Sequence, residues 1–323
     1  MRTPRLARLI GEPLPQPRDV DGLTDDHPVR PFPETARVRH SAWLRALVFA
    51  GLFVAGVVLL ASVGVAVVGL PLPADSLVVP VAEVLGAVGA YGVLTALWEA
   101  RRWPTELAGR RAPGLLKGIL LGAIAVAVCV GILALLGDYR VGGLNPAYSP
   151  WPTLLTIGLF PAVGEEILMR GVLFRLVEEG LGTWGAVAVS AVAFGAGHLA
   201  NPDATWWGAL AIAIEAGVLL AAVYALTRSL WWCIGFHLAW NLMEGPVFGS
   251  VVSGTGAADS WLIATWSGPA WLTGGTFGLE GSVVPVVLLG GSGLAILVYL
   301  ARHGRLVAPR WVRRGRAVSA AGE

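Results

Sequence analysis

An all-α bundle of about eight transmembrane helices is the fold class that the sequence predicts. Hydrophobic residues make up 55% of the 323-residue chain and charged residues only 14%, a balance typical of polytopic membrane proteins. Apolar runs recur along the chain, and most approach the ~20 residues that are needed to cross the hydrocarbon core of a bilayer. The basic residues between these runs are distributed unevenly, which indicates a defined orientation.

The predicted membrane domain occupies residues 43–302. Polar segments flank it: residues 1–42, rich in Pro and Arg, are expected to be a disordered cytoplasmic tail, and 303–323 a basic cytoplasmic tail. Residues 249–282, rich in Gly, Ser and Thr and without Lys or Arg, are expected to form an outer loop. The eight predicted spans lie near 43–69, 77–98, 115–136, 152–175, 184–200, 206–226, 230–248 and 283–302.

The basic residues predict that both termini are cytoplasmic. Cytoplasmic loops of membrane proteins carry an excess of Lys and Arg. With the amino terminus inside, 22 of the 23 Lys and Arg residues fall at the cytoplasmic side of these eight spans, and only Arg140 falls on the other side. We therefore expect an integral membrane protein, and we expect it in the plasma membrane.

Glu165, Glu166 and Arg170 are the first candidates for a functional site. Ionisable groups inside an apolar span are expensive, so they should face a protein interior or a water-filled cavity. Residues four apart share one helix face, so Glu166 and Arg170 are expected to form an ion pair. Glu165 points elsewhere and has no local partner, which suits a general base. The alternative is that all three groups form a structural polar network between helices.

Two later spans carry further polar residues at helical spacing. Phe194 precedes His198 by four residues, so the two side chains lie on one face. His237 and Asn241 share a face in the same way, and Glu244 continues that stripe. A glutamate and a histidine together can activate water, while a second histidine and an asparagine can donate hydrogen bonds to an oxyanion. Each histidine taken alone could equally be a buried structural residue.

The three motifs Glu165-Glu166-x-x-x-Arg170, Phe194-x-x-x-His198 and His237-x-x-x-Asn241 resemble those of the CPBP family. These are the CAAX-prenyl-protease-like, Abi-type intramembrane endopeptidases. The resemblance covers about residues 150–245, which would be the catalytic core, and it implies an eight-span fold and a glutamate-type peptidase. It also implies that Glu165 and His198 activate water, that His237 and Asn241 stabilise the oxyanion, and that Glu166, Arg170 and Phe194 order the site.

Some assignments stay open on the sequence. Glu244 and Glu215 are acidic residues that no motif explains. Either could contact the side chains of the site without touching the substrate. No cofactor is expected, although Glu165, His198 and His237 could form a three-ligand zinc set. The expected partners are a peptide or membrane-protein substrate and the lipid bilayer, and no nucleic acid. The competing functions are a non-catalytic immunity or scaffold protein of the same fold and a proton-coupled transporter, the latter suggested by Glu83, Glu215 and Glu244 within the spans.

Overall fold

The structure of the protein, a computed structural model, describes residues 41–68, 78–99, 104–256 and 259–313. The rest of the predicted disordered tail, residues 1–40, and residues 314–323 of the predicted basic tail lie outside the described residues. The described part is mostly helical, which confirms the predicted all-α membrane protein.

The amino-terminal half of the described chain forms four helical rods. The first is α1 (Ala42–Val68) and the second is α2 (Val78–Val93), which ends in a π-helical turn (Leu94–Trp98). Two short 3-10 helices (Thr105–Leu107 and Gly109–Arg111) lead into α3 (Pro113–Leu136). The next rod, α4, alternates α and π geometry through Pro150–Thr153, Leu154–Leu159, Phe160–Glu166 and Ile167–Phe174.

The carboxy-terminal half continues the bundle. Helix α5 (Arg175–Gly197) breaks at Gly182, where φ is 73°, and ends in a 3-10 turn (His198–Ala200). Helix α6 consists of Trp206–Ile212, a π segment (Ala213–Val218) and Leu219–Thr227. Helix α7 (Leu230–Leu242) ends in a π turn (Met243–Val247), and α8 (Val283–Arg302) closes the bundle. Between α7 and α8 lie three short helices, Ala270–Thr273, Gly275–Phe277 and Leu279–Gly281.

Five helices in the described ranges are long and apolar enough to cross a membrane. They are Ala42–Val67, Val78–Leu97, Gly109–Leu136, Trp206–Thr227 and Val283–Arg302. The other three predicted runs, 152–175, 184–200 and 230–248, are helical but are not among these five. The predicted count of eight spans is therefore not confirmed.

A two-stranded antiparallel ribbon interrupts the otherwise helical fold and was absent from the sequence prediction. Strand β1 (Tyr139–Leu144) pairs with β2 (Leu262–Trp266), with Tyr139 opposite Trp266. The two rings pack edge to face with centroids 4.7 Å apart. The ribbon ties the segment after α3 to the loop between α7 and α8, so the described residues of the predicted outer loop include a strand.

The described helices run between two chemically different ends of the bundle. At one end, here called the basic end, Arg175 and Arg45 bind Glu99 at 2.6 and 3.3 Å, and Arg111 donates to the carbonyl of Thr227 at 2.8 Å. At the opposite end, here called the loop end, backbone hydrogen bonds join the connections after α3, α5 and α7. Examples are Asn145 to Trp261 and Asp203 to Gly254.

Glycines allow α3 and α7 to pack in backbone contact. An ideal Cβ on Gly235 would lie 2.2 Å from the carbonyl oxygen of Leu115, and one on Gly118 would lie 2.3 Å from that of Trp232. Such close approach is typical of helix pairs in membranes. The hydrophobic effect does not drive their association there, so they depend on the tight van der Waals packing that small residues allow. The contact fixes α7, which carries His237 and Asn241, against a rigid neighbour.

Candidate active site

The predicted ion pair between Glu166 and Arg170 is present and buried. Nη1 of Arg170 donates to Oε1 of Glu166 at 2.8 Å, and both side chains are 0% exposed. The second arm of the guanidinium, Nη2, donates to the backbone carbonyls of Ala216 and Gly217 at 3.1 and 3.2 Å. Both carbonyls belong to the π segment of α6. Arg170 thus joins α4 to α6 as well as neutralising its neighbour.

His237 binds the same carboxylate. Its Nδ1 lies 3.0 Å from Oε1 of Glu166, although the two residues are 71 positions apart. A carboxylate oxygen that already accepts from Arg170 accepts again here, so the hydrogen on His237 is held at Nδ1. Nε2 is the ring nitrogen that this bond leaves available. The spacing of the motifs predicts only the pair of Glu166 with Arg170 and gives no sign of this contact with α7.

His198 is held by the residue one turn before it. Nδ1 of His198 lies 2.7 Å from the carbonyl oxygen of Phe194. A carbonyl can only accept, so Nδ1 carries the hydrogen and, in the neutral ring, Nε2 carries the lone pair. His198 lies at the end of α5 and is only partly buried. A fixed tautomer with a free Nε2 is the form in which an imidazole accepts a proton from water.

The ring of Phe194 lies among the polar groups, in agreement with its predicted position beside His198. Its centroid is 4.8 Å from that of His198 and 6.0 Å from that of His237. The guanidinium carbon of Arg170 lies 5.0 Å from the same ring, within range of a cation–π contact. One buried aromatic ring therefore separates and orients all three of these groups.

The side chain of Asn241 is held in place by a hydrogen bond to the backbone of α4. Its Nδ2 donates to the carbonyl of Ile157 at 2.9 Å, and Ile157 belongs to the first π segment of that helix. This bond uses one of the two N–H groups of the amide, so the second remains available. The carbonyls that hold Arg170 and Asn241 are backbone groups of π segments, features that side-chain patterns do not reveal.

Glu165 lines a cavity of about 320 Å³ together with His198, His237 and Asn241. The carboxyl of Glu165 has one oxygen, Oε2, that is buried and has no hydrogen-bond partner in the described part of the chain. The four predicted catalytic residues, from α4, α5 and α7, therefore share one concave site. An apolar chamber of about 230 Å³ adjoins it, shares Glu165 and Leu168 with it, and is bounded by Phe53 and Glu83 of α1 and α2.

Glu280 is a site residue that the sequence analysis missed. It lies in the loop before α8, lines the same cavity and is 2% exposed. Its two oxygens accept from Nε1 of Trp240 at 3.1 Å and from Oγ of Ser253 at 2.6 Å. Burial raises the pKa of the Glu280 carboxyl, while the bond from Ser253 and the nearby His198 and His237 lower it. A single glutamate in a Gly-rich loop carries no periodic signal, which explains the omission.

The two other acidic candidates lie behind the cavity wall. Glu244 is fully buried and accepts from Oγ of Ser250 at 3.3 Å, and Glu280 is its electrostatic neighbour. Both carboxyl oxygens of Glu215 are buried without a hydrogen-bond partner among the described residues. Neither side chain lines the cavity. Their support of the site stays a prediction, and the structure places Glu244 beside Glu280, which does line the cavity.

The zinc set considered from the sequence can be compared with the grouping of side chains in the structure. Across residues 41–68, 78–99, 104–256 and 259–313, no three His, Cys, Asp or Glu side chains are arranged so that they could hold an ion. The zinc set considered from the sequence, Glu165, His198 and His237, is thus not grouped as metal ligands. His237 also directs Nδ1 at Glu166.

Comparison with known proteins identifies the segment that holds these residues. Residues 147–243 match the family model described as type II CAAX prenyl endopeptidase Rce1-like. The match includes the three motifs and stops before Glu244 and Glu280. No curated protein and no solved structure matches the chain. The predicted resemblance to the CPBP family is confirmed, and with the five apolar helices it identifies an integral membrane protein.

Proposed function

Because residues 147–243 match the type II CAAX prenyl endopeptidase Rce1-like family model and carry the three motifs that resemble those of the CPBP family, we propose that this protein is an intramembrane endopeptidase of the glutamate type. The observation that carries the proposal is the convergence of Glu165, His198, His237 and Asn241 on one cavity. Four groups from three helices meet there, and each is the residue type that hydrolysis of a peptide bond needs.

Glu165 and His198 are the pair that activates water. The free oxygen of Glu165 and Nε2 of His198 are both proton acceptors in the neutral-ring form derived above. One of them takes a proton from water as the water oxygen bonds to the carbonyl carbon of the substrate. The electron pair of the carbonyl π bond moves to its oxygen, which becomes an oxyanion. The oxyanion then re-forms the carbonyl as the C–N bond breaks, and the stored proton goes to the leaving nitrogen. The products are an amine and a carboxylic acid, which releases its remaining proton to solvent as a carboxylate.

His237 and Asn241 stabilise the oxyanion in this scheme. Asn241 has one N–H group beyond the bond to Ile157, and His237 donates from Nε2 when its ring is protonated. Preorganised donors of this kind typically contribute about 10²–10³ in rate each. Glu166 and Arg170 hold the histidine in place without touching the substrate.

We propose that the protein lies in the plasma membrane with both termini in the cytoplasm. The support is the distribution of the 23 Lys and Arg residues along the sequence, 22 of which fall at the predicted cytoplasmic side of the eight predicted spans. The substrate would be a peptide or a membrane protein. No cofactor is invoked, and a metal chelator is expected to leave the activity unchanged.

The deciding experiment compares the wild type with Glu165→Gln, which keeps the shape of the side chain and removes its basicity. New protein termini are mapped by mass spectrometry in membranes from cells producing each form, and thermal unfolding of both purified proteins is measured in detergent. The proposal expects termini that disappear in Glu165→Gln while the melting temperature stays close to wild type. A purely structural role would instead lower the melting temperature, and termini that persist in the variant would refute the catalytic role.

A further inference from the structure

The open side of the catalytic cavity is formed by the loop end of the bundle. Val252, Ser253 and Thr255 of the connection between α7 and α8 line the cavity, as does Glu280. Thr255 is exposed, and so is Gly197, another lining residue, at the end of α5. The cavity therefore reaches the surface where the connections after α5 and α7 meet.

The opposite side of the cavity is closed by packed side chains. Leu220 lines the floor and is 1% exposed. One helical turn beyond it, Tyr224 packs edge to face against Phe174, with ring centroids 5.4 Å apart. Beyond these rings Arg228 forms a buried ion pair with Glu178 at 2.5 Å. A peptide approaching from the basic end would have to disrupt two consecutive buried layers.

The basic end is the end that should face the cytoplasm. Arg45, Arg111, Arg175 and Arg228 all lie there, whereas the loop end carries Arg140 as its one basic residue in the described ranges. An excess of Lys and Arg at one side sets the orientation of membrane proteins. The loop end, and with it the mouth of the cavity, should then face away from the cytoplasm.

We infer that the catalytic cavity opens to the non-cytoplasmic side of the membrane and that the substrates are polypeptide segments exposed on that side. The inference rests on the proposed function for its statement about substrates. It concerns the class of protein that is cleaved: secreted chains, or membrane proteins whose scissile segment lies outside the cytoplasm or in the outer leaflet. A cytoplasmic carboxy-terminal peptide would not reach Glu165 in this arrangement.

Single-cysteine labelling tests the orientation of the mouth. Cys129 and Cys233 are both 0% exposed, so the wild type should react little with a maleimide that does not cross membranes. Thr255→Cys places a thiol at the mouth, and His303→Cys places one at the exposed carboxy-terminal end of α8, at the basic end. In intact cells Thr255→Cys should be labelled and His303→Cys should not, and permeabilised cells should label both. Labelling of His303→Cys in intact cells, or of Thr255→Cys only after permeabilisation, would overturn the inference.

The substrates are tested separately by the location of the cleavage sites. Termini that depend on Glu165 should map to protein segments outside the cytoplasm, and termini that map to cytoplasmic segments would contradict the inference about substrates. The absence of any such termini, with Thr255→Cys labelled from outside, would instead refute the peptidase proposal and leave the orientation of the cavity established. The two failures are therefore distinguishable.

Discussion

Nδ1 of His237 lies 3.0 Å from Oε1 of Glu166, and this contact joins two motifs that are 71 residues apart. The same carboxylate oxygen binds Arg170, which in turn binds two carbonyls of α6. Glu166 is therefore the group through which α4, α6 and α7 are held in register. The adjacent Glu165 makes no such bond and lines the cavity instead.

This division between neighbouring glutamates predicts opposite behaviour of two matched variants. Glu166→Gln removes the negative charge between Arg170 and His237, and breaking a buried ion pair costs about 3–5 kcal/mol. We expect a clearly lower melting temperature and loss of activity in Glu166→Gln, but loss of activity alone in Glu165→Gln. Thermal unfolding in one detergent compares the two. Equal melting temperatures would show that the Glu166 network is not a main support of the fold.

The contact between α3 and α7 predicts a stability defect at a glycine. Gly235→Ala would bring a methyl group to 2.2 Å from the carbonyl oxygen of Leu115, so the helices must separate. Overpacking of this kind typically costs about 1–3 kcal/mol. Gly131→Ala on α3 is the matched control, because nothing lies within 4 Å of its Cβ position. The prediction is a lower melting temperature for Gly235→Ala only, and comparable values for both variants would contradict the close packing.

Glu280 predicts a pH dependence of stability. Burial raises the pKa of its carboxyl above the ordinary value of 4.5. Between pH 4.5 and the pKa of the folded state, the folded protein therefore binds more protons than the unfolded protein. Stability is then lost as the pH rises from 4.5 through the folded-state pKa. Glu280→Gln cannot ionise and still offers an oxygen to Trp240, so its melting temperature should fall less over the same interval. Unfolding curves from about pH 4 to about pH 8 measure the difference, and parallel curves would disprove the assignment.

Helical periodicity explains which parts of the site could be predicted from the sequence. Residues four apart share a face, so the pairs Glu166 with Arg170 and Phe194 with His198 follow from local geometry alone. The contact of His237 with Glu166 depends on how α7 packs against α4, and spacing along the chain contains no information about it. Glu280 and the carbonyls of Ile157, Ala216 and Gly217 were missed because a loop glutamate has no periodic pattern and a backbone group has no residue type.

The predicted count of eight spans is another part of the prediction that the structure does not confirm. The three motifs lie on α4, at the end of α5 and on α7. These helices are the ones that a criterion of length and hydropathy does not include. The ribbon of β1 and β2 could not be foreseen either, because Tyr139 and Trp266 are brought together only by the fold of the bundle between them.

The pairing of β1 with β2 also sets an order of events during biosynthesis. Tyr139 leaves the ribosome long before its partner Trp266, and all four proposed catalytic residues are synthesised in the interval between them. Glu280 and the lining residues of the loop between α7 and α8 form one wall of the cavity. This wall cannot form until the loop has been synthesised and β2 has reached the side of the membrane where β1 lies. A nascent chain therefore carries its four proposed catalytic residues in an incomplete pocket, and the pocket is complete only after α8, which contributes Leu289 to the lining, has been added.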